Sequence, residues 1–246
     1  MCTVLFIPTF GKYFFASLRD ESPTREKAVI PQIHIHQNTR FLSPKDSMAG
    51  GTWIGVNEFG NVIILLNGGF ENHVKQGDYL KSRGLIVSEL LVSNLPIIEW
   101  SLMDLENIEP FTLVVWSDSN LFQLVWDGKN KQRRLLDKTA PYIWSSSTLY
   151  NTEAKEKRKA IFNNWITKNP PIFKETIFDF FNSFPDKENG FIMNRNENVR
   201  TLSYSLIELA EFSSAEMHYD DLLHDTQSTK QLELKETSNN CLLINQ

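Results

Sequence analysis

The sequence predicts an α+β fold in which antiparallel sheets stack on each other and helices lie outside them. Predicted strands and helices are grouped along the chain rather than strictly alternating, which argues against regular βαβ winding. A clear hairpin joins residues 52–56 to residues 62–66, with Gly60 available for the positive φ of a tight turn. The second strand of this hairpin is apolar at five successive positions. An antiparallel strand of that kind is covered on both faces, which indicates stacked sheets.

The other elements follow from the same patterns. The chain begins with a predicted hairpin of residues 2–7 and 12–18, then a charged, turn-prone stretch over 19–27 and an extended piece near Ile33 and Ile35. Apolar spacing predicts helices over 79–93, 152–167 and 173–181. The second of these is expected to bury Ala160, Ile161, Trp165 and Ile166. Further strands are predicted at 111–116, 121–126, 134–136, 201–209 and 215–219.

No repeat or linker divides the chain, so we expect one domain over residues 1–225. Residues 226–246 are polar and are predicted to form a loosely attached extension, with a strand at 232–235.

Composition limits the class of protein. The 246 residues carry 25 Lys+Arg against 30 Asp+Glu, a net charge of −5, which argues against nucleic-acid binding. Two cysteines, Cys2 and Cys241, cannot make a disulfide scaffold, as is typical of a reducing compartment. The longest apolar run, residues 62–66, is too short to span a bilayer, and the first residues do not follow a signal-peptide pattern. We therefore expect a soluble, cytoplasmic protein without a membrane span.

Cys2 is the first candidate for chemistry because of its position. Removal of Met1 would leave a thiol and a free α-amine on one residue, and an α-amine titrates near pH 8. Such an amine can accept the thiol proton without a histidine partner. The alternative is a small core residue at the start of a strand.

The charged run Arg19-Asp20-Glu21 ends the return strand of the first hairpin and is expected beside Cys2. An arginine there can hold a thiolate or a substrate carboxylate, and Asp20 can orient the α-ammonium group. A solvated turn with a surface ion pair is the alternative.

Two glycine-rich segments flank the central hairpin. Gly50 and Gly51 precede Trp53 and suit close approach to a ligand or to another backbone. Asn67 and the two glycines after it follow the buried strand, where an amide and backbone donors can form an oxyanion hole. A simple turn is the alternative for this second segment.

A metal site is not predicted. His34 and His36 lie two apart in an extended segment and would share one face, but no third ligand follows at a recognised spacing. An edge strand at the surface is the favoured interpretation of this pair.

Taken together, these segments resemble the NRDE family, which includes the transport and Golgi organisation protein 2 homologues. The resemblance lies in Met1-Cys2-Thr3, Arg19-Asp20-Glu21, Ala49-Gly50-Gly51-Thr52-Trp53-Ile54-Gly55-Val56, Trp144-Ser145-Ser146-Ser147-Thr148-Leu149-Tyr150 and Val199-Arg200-Thr201. Leu18 stands where the family name records an asparagine, so that amide is absent here.

The resemblance implies a four-layer αββα sandwich like that of the N-terminal nucleophile hydrolases. By the same resemblance Cys2 is the nucleophile, with Arg19 and Asp20 beside it. Related cysteine amidases carry an asparagine where this chain has Ser145, Ser146 and Ser147, so Asn67 is expected to take that role. The substrate-binding residues expected on this basis are Gly50, Gly51, Trp53, Ser146 and Arg200.

The leading functional hypothesis is a cysteine amidohydrolase or acyltransferase that acts on an amide or thioester acyl bond of a small molecule. The alternative, also taken from the resemblance, is a non-catalytic factor that binds and transports haem, acyl-CoA or lipid, with His73 as a candidate haem ligand. No cofactor is expected under the first hypothesis, and haem is the expected ligand under the second.

Overall fold

Two seven-stranded antiparallel sheets form the centre of the protein over the residues that this computed structural model describes, namely 3–74, 77, 79–184, 186–195, 198–210 and 213–235. Sheet A contains, in spatial order, β10 (Tyr142–Ser145), β1 (Thr3–Thr9), β2 (Lys12–Glu21), β12 (Val199–Ala210), β13 (Ser214–Asp221) and β14 (Thr226–Glu233), with β11 (Asn194–Arg195) paired to β12. Sheet B follows chain order: β3 (Val29–His36), β4 (Thr39–Lys45), β5 (Ile54–Asn57), β6 (Val62–Asn67), β7 (Phe111–Ser117), β8 (Asn120–Trp126) and β9 (Lys131–Leu136).

Helices cover the outer face of each sheet. The helices are α1 (Arg83–Leu91), α2 (Pro96–Leu102), α3 (Thr152–Lys168) and α4 (Lys174–Asn182). The Ser82 side chain accepts a hydrogen bond from Gly84 N at the start of α1, and the Asn151 side chain accepts one from Ala154 N at the start of α3. Both are preferred N-cap residues, which explains where these helices begin.

Two apolar clusters are packed between the layers. Between the sheets, Trp116 of β7 packs against Phe6 and Phe15 of sheet A, with ring centroids 6.0 and 6.1 Å apart. On the outer face of sheet A, a second cluster joins Leu5 and the strands beside it to Phe162 of α3 and to α4. The layers are therefore helix, sheet, sheet and helix, which confirms the predicted α+β sandwich.

The central hairpin confirms the observation from which the fold class was predicted. All five apolar residues from Val62 to Leu66 are buried, because β6 lies between β5 and β7 in the sheet and is covered on both faces. Gly60 has φ +78° in the turn.

Several element bounds differ from the predicted ones. Strand β2 continues to Glu21, because Arg19–Glu21 pair with β12 instead of forming a turn. The helix predicted at 79–93 begins only at Arg83, since Ser82 caps it. The sequence patterns did not predict β4, β10 or α2, and the edge strand β14 begins at Thr226 rather than at 232.

Helix α3 also presents a different face from the predicted one. Arg158 and Phe162 are its buried residues, whereas Ala160 is exposed and Ile161, Trp165 and Ile166 are partly buried. The arginine is buried because carbonyl, hydroxyl and aromatic groups surround its guanidinium, as described below.

The predicted division at residue 225 stays a prediction. The first part of the predicted extension forms β14, which pairs with β13 from Thr226 to Glu233. Residues 236–246, including Cys241, lie outside the described residues. No helix among the described residues is long and apolar enough to cross a membrane.

Candidate functional site

The candidate site is built around the start of β1. Cys2 itself lies outside the described residues, and Thr3, the residue after it, is fully buried. Thr3 pairs with Leu18 of β2 on one side and with Ser145 of β10 on the other. The next residues along those two strands are Arg19 and Ser146, so two predicted site residues follow the strand partners of Thr3.

Arg19 is a buried cation held by a carboxylate and an aromatic ring. Its Nη2 donates to Asp46 Oδ2 at 2.7 Å, and its guanidinium carbon lies 4.7 Å from the centre of the Trp53 ring. Arg25 donates to both carboxylate oxygens of Asp46, at 3.0 and 2.9 Å. Burial by itself raises the pKa of Asp46, but hydrogen bonds from Arg25 and from the amide of Ala49 outweigh it and leave this pKa below its usual value.

Asp20 lies on the opposite face of β2. Its carboxylate accepts hydrogen bonds from Thr201 Oγ1 at 2.6 Å and from the Tyr150 hydroxyl at 3.4 Å. Successive residues of a strand point to opposite faces. Arg19 therefore faces the layer between the sheets, while Asp20 is anchored on the helix-covered side.

The glycine-rich segment makes a close backbone contact with α1. The amide of Thr52 donates to Gly84 O at 3.1 Å, and a Cβ placed on Gly51 would lie 2.3 Å from the carbonyl carbon of Gly84. Gly50 has φ +72° and open space around it. Thus the predicted close approach at Gly51 is to the backbone of α1. Gly50 provides the positive φ that the turn requires.

A cavity of about 440 Å³, called here the main cavity, opens beside Arg19. Four of the predicted residues line it, together with charged and aromatic groups of the neighbouring loops. Its lining includes Arg19, Gly51, Trp53 and Asn67 from the prediction, and Arg25, Asp46, Tyr79, Lys81, Arg83 and Glu109 in addition. Arg83 Nη2 lies 3.2 Å from Glu109 Oε2, which positions both side chains at the wall.

A smaller cavity of about 230 Å³, called here the serine pocket, lies at Ser145–Ser147. Asn67 lines both cavities. Ser146 Oγ donates to the Asn67 carbonyl oxygen at 2.8 Å, which ties the end of β6 to the segment after β10. The structure thus brings Asn67 and Ser146 together, although they are 79 positions apart.

Other predicted residues lie elsewhere. Arg200 is partly buried on β12, opposite Glu21 of β2 and Asn194 of β11, and lines neither of these two cavities. Gly50 lines a third, larger groove of about 850 Å³ between the β3–β4 hairpin and α1.

Two of the three histidines considered in the sequence analysis, His34 and His73, contact protein groups. His34 Nε2 lies 3.2 Å from the Ser43 carbonyl oxygen on edge strand β3, and His36 is exposed. His73 Nε2 lies 3.2 Å from Glu109 Oε1. Binding of haem, acyl-CoA or lipid stays a prediction.

Arg158 is the residue of this region that sequence reasoning missed. Its guanidinium lies between the rings of Tyr150 and Phe191, 4.3 and 4.4 Å from their centres. It donates to Thr3 Oγ1, to Ser145 Oγ at 3.0 Å and to two backbone carbonyls after α4. Arg158 stands in a run of lysines and glutamates that is typical of a solvated helix face, so the local pattern carried no signal for its burial.

Comparison with solved structures finds N-terminal nucleophile hydrolases. A Caenorhabditis elegans N-acylethanolamine-hydrolyzing acid amidase ortholog matches with a TM-score of 0.57 and 9% identity, over 84% of this chain and 92% of that one. An arginine variant of the conjugated bile acid hydrolase from Clostridium perfringens matches with a TM-score of 0.57 and 10% identity, over 96% and 98%. A cysteine-to-alanine variant of the same hydrolase gives a TM-score of 0.56. At these identities the likeness shows a shared fold.

At the sequence level, the family model described as Transport and Golgi organisation 2 matches residues 1–231. Among curated proteins, none matches the sequence.

Proposed function

The chain belongs to the Transport and Golgi organisation 2 family, and we propose that it is a cysteine hydrolase that cleaves an amide or thioester acyl bond, with Cys2 as the N-terminal nucleophile. The observation that carries the proposal is the main cavity beside the end of β2. It is lined by a buried arginine one position after the strand partner of Thr3. The similar structures are those of an amidase and a bile acid hydrolase, which supports the same reaction class.

In the proposed acylation step, the Cys2 thiol transfers its proton to the α-amine that removal of Met1 exposes. The Sγ then forms a bond with the substrate carbonyl carbon. The bond from that carbon to the amide nitrogen or to the substrate thiol sulfur breaks, and the leaving group takes the proton from the α-ammonium group. This produces a thioester between Cys2 and the acyl group.

Water completes the reaction. Its oxygen attacks the thioester carbonyl carbon while the α-amine accepts one proton, the carbon–sulfur bond breaks, and that proton returns to the thiolate. An amine in place of water gives acyl transfer by the same sequence of steps.

Electrostatic groups around the cavity suit this chemistry. Arg19 is fixed by Asp46 and Trp53, so its charge is held in place before substrate binds. Asn67, which lines both cavities, is proposed to donate its amide to the developing oxyanion. Asp20, locked by Thr201 and Tyr150, is proposed to fix the end of β2 from the helix-covered side.

Intact-mass spectrometry of the purified protein tests the proposal. The native protein is expected to lack Met1 and, after incubation with an activated amide such as octanoyl-4-nitroanilide, to gain the mass of one acyl group less one hydrogen. The Cys2→Ala variant should gain none. Retention of Met1, or equal acylation of the Cys2→Ala variant, would overturn the proposed mechanism.

A further inference from the structure

We propose that the serine pocket binds a carboxylate of the substrate, so that the preferred substrate is an amide that carries a negative charge close to the bond to be cleaved. This inference rests on the proposed function for the reaction itself, whereas binding of the carboxylate can be measured without turnover.

Two side chains that line this pocket, Ser147 and Gln123, have a hydrogen-bond donor with no partner among the described residues. Ser147, 8% exposed, has a buried Oγ with no hydrogen-bond partner among the described residues. The indole Nε1 of Trp144 donates to Gln123 Oε1 at 3.2 Å, which fixes the Gln123 amide and leaves its nitrogen as a donor. Both side chains line the serine pocket. A buried hydroxyl without a partner costs free energy, so a ligand that accepts from it is favoured.

Lys155 provides the charge. It lines the pocket from α3, is partly buried, and forms no ion pair with any residue that the structure describes. Burial lowers the pKa of the Lys155 ammonium group, and no neighbouring carboxylate offsets this effect. A cation withdrawn from water in this way is stabilised by an incoming anion.

The charged residues that line the serine pocket give it a net positive charge. Lys159 lies one helical turn after Lys155 on α3, and Glu156 is exposed beside them. Two lysines and one glutamate line the pocket, and the other lining residues are neutral. The local charge therefore favours an anion, although the whole chain carries −5.

The position of the pocket links the anion to the reaction. Asn67 lines both the serine pocket and the main cavity, so a substrate that passes Asn67 reaches both. The serine pocket measures about 230 Å³. Pockets for whole drug-sized ligands measure roughly 300–1,000 Å³, so this one suits one end of a substrate.

Isothermal titration calorimetry on the Cys2→Ala protein tests the inference without turnover. The probes are N-octanoylglycine and N-octanoylglycinamide, which differ only in that an amide replaces the carboxylate. We expect the carboxylate to bind about tenfold more tightly, as one charge-assisted hydrogen bond allows. A second pair, 8-amino-8-oxooctanoate and octanamide, places the carboxylate at the far end of the acyl chain.

Variants in α3 test whether Lys155 is the residue that binds the carboxylate. Lys155→Met keeps the aliphatic stem and should abolish the preference for the carboxylate in whichever pair shows it. Lys157→Met is the matched control, because Lys157 lies on the same helix over the Phe184 ring and does not line the pocket. The control should keep the preference.

The outcomes separate the two proposals. Equal affinity within both pairs, or an equal preference in the Lys155→Met and Lys157→Met variants, overturns the carboxylate pocket even if the native protein hydrolyses amides. A preference within the first pair that depends on Lys155 supports the pocket even if the native protein hydrolyses neither probe, in which case only the proposed function fails. A preference within the second pair alone overturns a negative charge close to the bond to be cleaved.

Discussion

Arg158 and Thr3 are 155 positions apart in the sequence, yet Arg158 Nη2 donates a hydrogen bond to Thr3 Oγ1 in the buried interior. The same guanidinium donates to Ser145 Oγ of β10 and stacks on Tyr150, whose hydroxyl donates to Asp20. Helix α3 thereby connects β10, the start of β1 and the end of β2. The residue that follows Cys2 is held by a helix more than half a chain length away.

This contact predicts a large effect on stability. Arg158→Gln removes several hydrogen bonds to a charged group, each worth roughly 1.5–3 kcal/mol, and leaves buried oxygens without donors. We expect the free energy of unfolding to fall by about 3 kcal/mol or more. Urea denaturation followed by tryptophan fluorescence measures it.

Arg195→Gln is the matched control for that experiment. Arg195 lies over the same Tyr150 ring, at 5.2 Å, and donates to Leu149 O, but it does not contact β1. It also donates to Glu188 O at 2.6 Å and to Asn189 Oδ1 at 3.3 Å, but the side chain is partly exposed, so its loss should cost only about 1–2 kcal/mol. Equal losses in the two variants would contradict a special role for the contact with Thr3.

The backbone contact between Gly51 and Gly84 predicts that a single methyl group is not tolerated at residue 51. A Cβ on Gly51 would lie 2.3 Å from Gly84 C and 2.5 Å from Leu85 N, and neither backbone atom can move without displacing α1. Gly51→Ala should therefore cost about 3 kcal/mol or more, at the upper end of overpacking.

Gly50→Ala separates steric overlap from backbone strain. Gly50 has open space but φ +72°, so alanine there should cost only about 1–2 kcal/mol for the left-handed conformation. Thermal and urea unfolding of both variants measure the difference. A Gly50→Ala variant as unstable as Gly51→Ala would argue against the steric explanation.

Asn67 is expected to matter for rate more than for stability. Under the proposed function its amide stabilises the oxyanion, so Asn67→Ala should slow acylation of Cys2 by about 10²–10³-fold. Ser146→Ala removes the hydrogen bonds of Ser146 Oγ with the Asn67 carbonyl oxygen and with Thr148, leaves the Asn67 amide in place, and should have a smaller effect. Stopped-flow or quenched intact-mass measurements of the thioester give both rates, and a larger effect in Ser146→Ala would contradict the assignment.

The lowered pKa of Asp46 predicts that the free energy of unfolding depends on pH. Its pKa is lower in the folded protein than the ordinary 3.8, so its ionised form stabilises the fold above that value, and this contribution is lost as the pH falls through the folded pKa. Asp46→Asn lacks this contribution. We therefore expect its free energy of unfolding to decrease less between about pH 5 and pH 2 than that of the native protein.

Arg25→Gln extends the pH experiment. It removes one of the two guanidinium groups that bind Asp46 and leaves Arg19 in place, so its slope should lie between those of the native protein and Asp46→Asn. Chemical denaturation at a series of pH values measures all three. If the plots of the free energy of unfolding against pH are parallel for the three proteins, Asp46 has the same pKa in the folded and unfolded chains and the prediction is wrong.

Local sequence patterns were sufficient for several parts of the molecule. The apolar run in β6, the turn at Gly60 and the extent of α3 depend on residues close together in the chain, so periodicity and turn chemistry predict them. The resemblance to a family added the four-layer arrangement. Strand β4 was missed because Thr39–Lys45 mixes polar, charged and proline residues, which is not typical of a strand.

The sequence by itself thus determined the fold class and most of the elements. Only the tertiary structure decided that Arg19 and Asp20 lie on opposite faces of a strand, because pairing with β12, about 180 positions away, extends β2 through both of them. It also decided that Arg158 is buried, since its partners come from β1, β10 and the segment after α4. Such contacts depend on the register between distant strands, and a local pattern carries no information about which distant group will meet a given side chain.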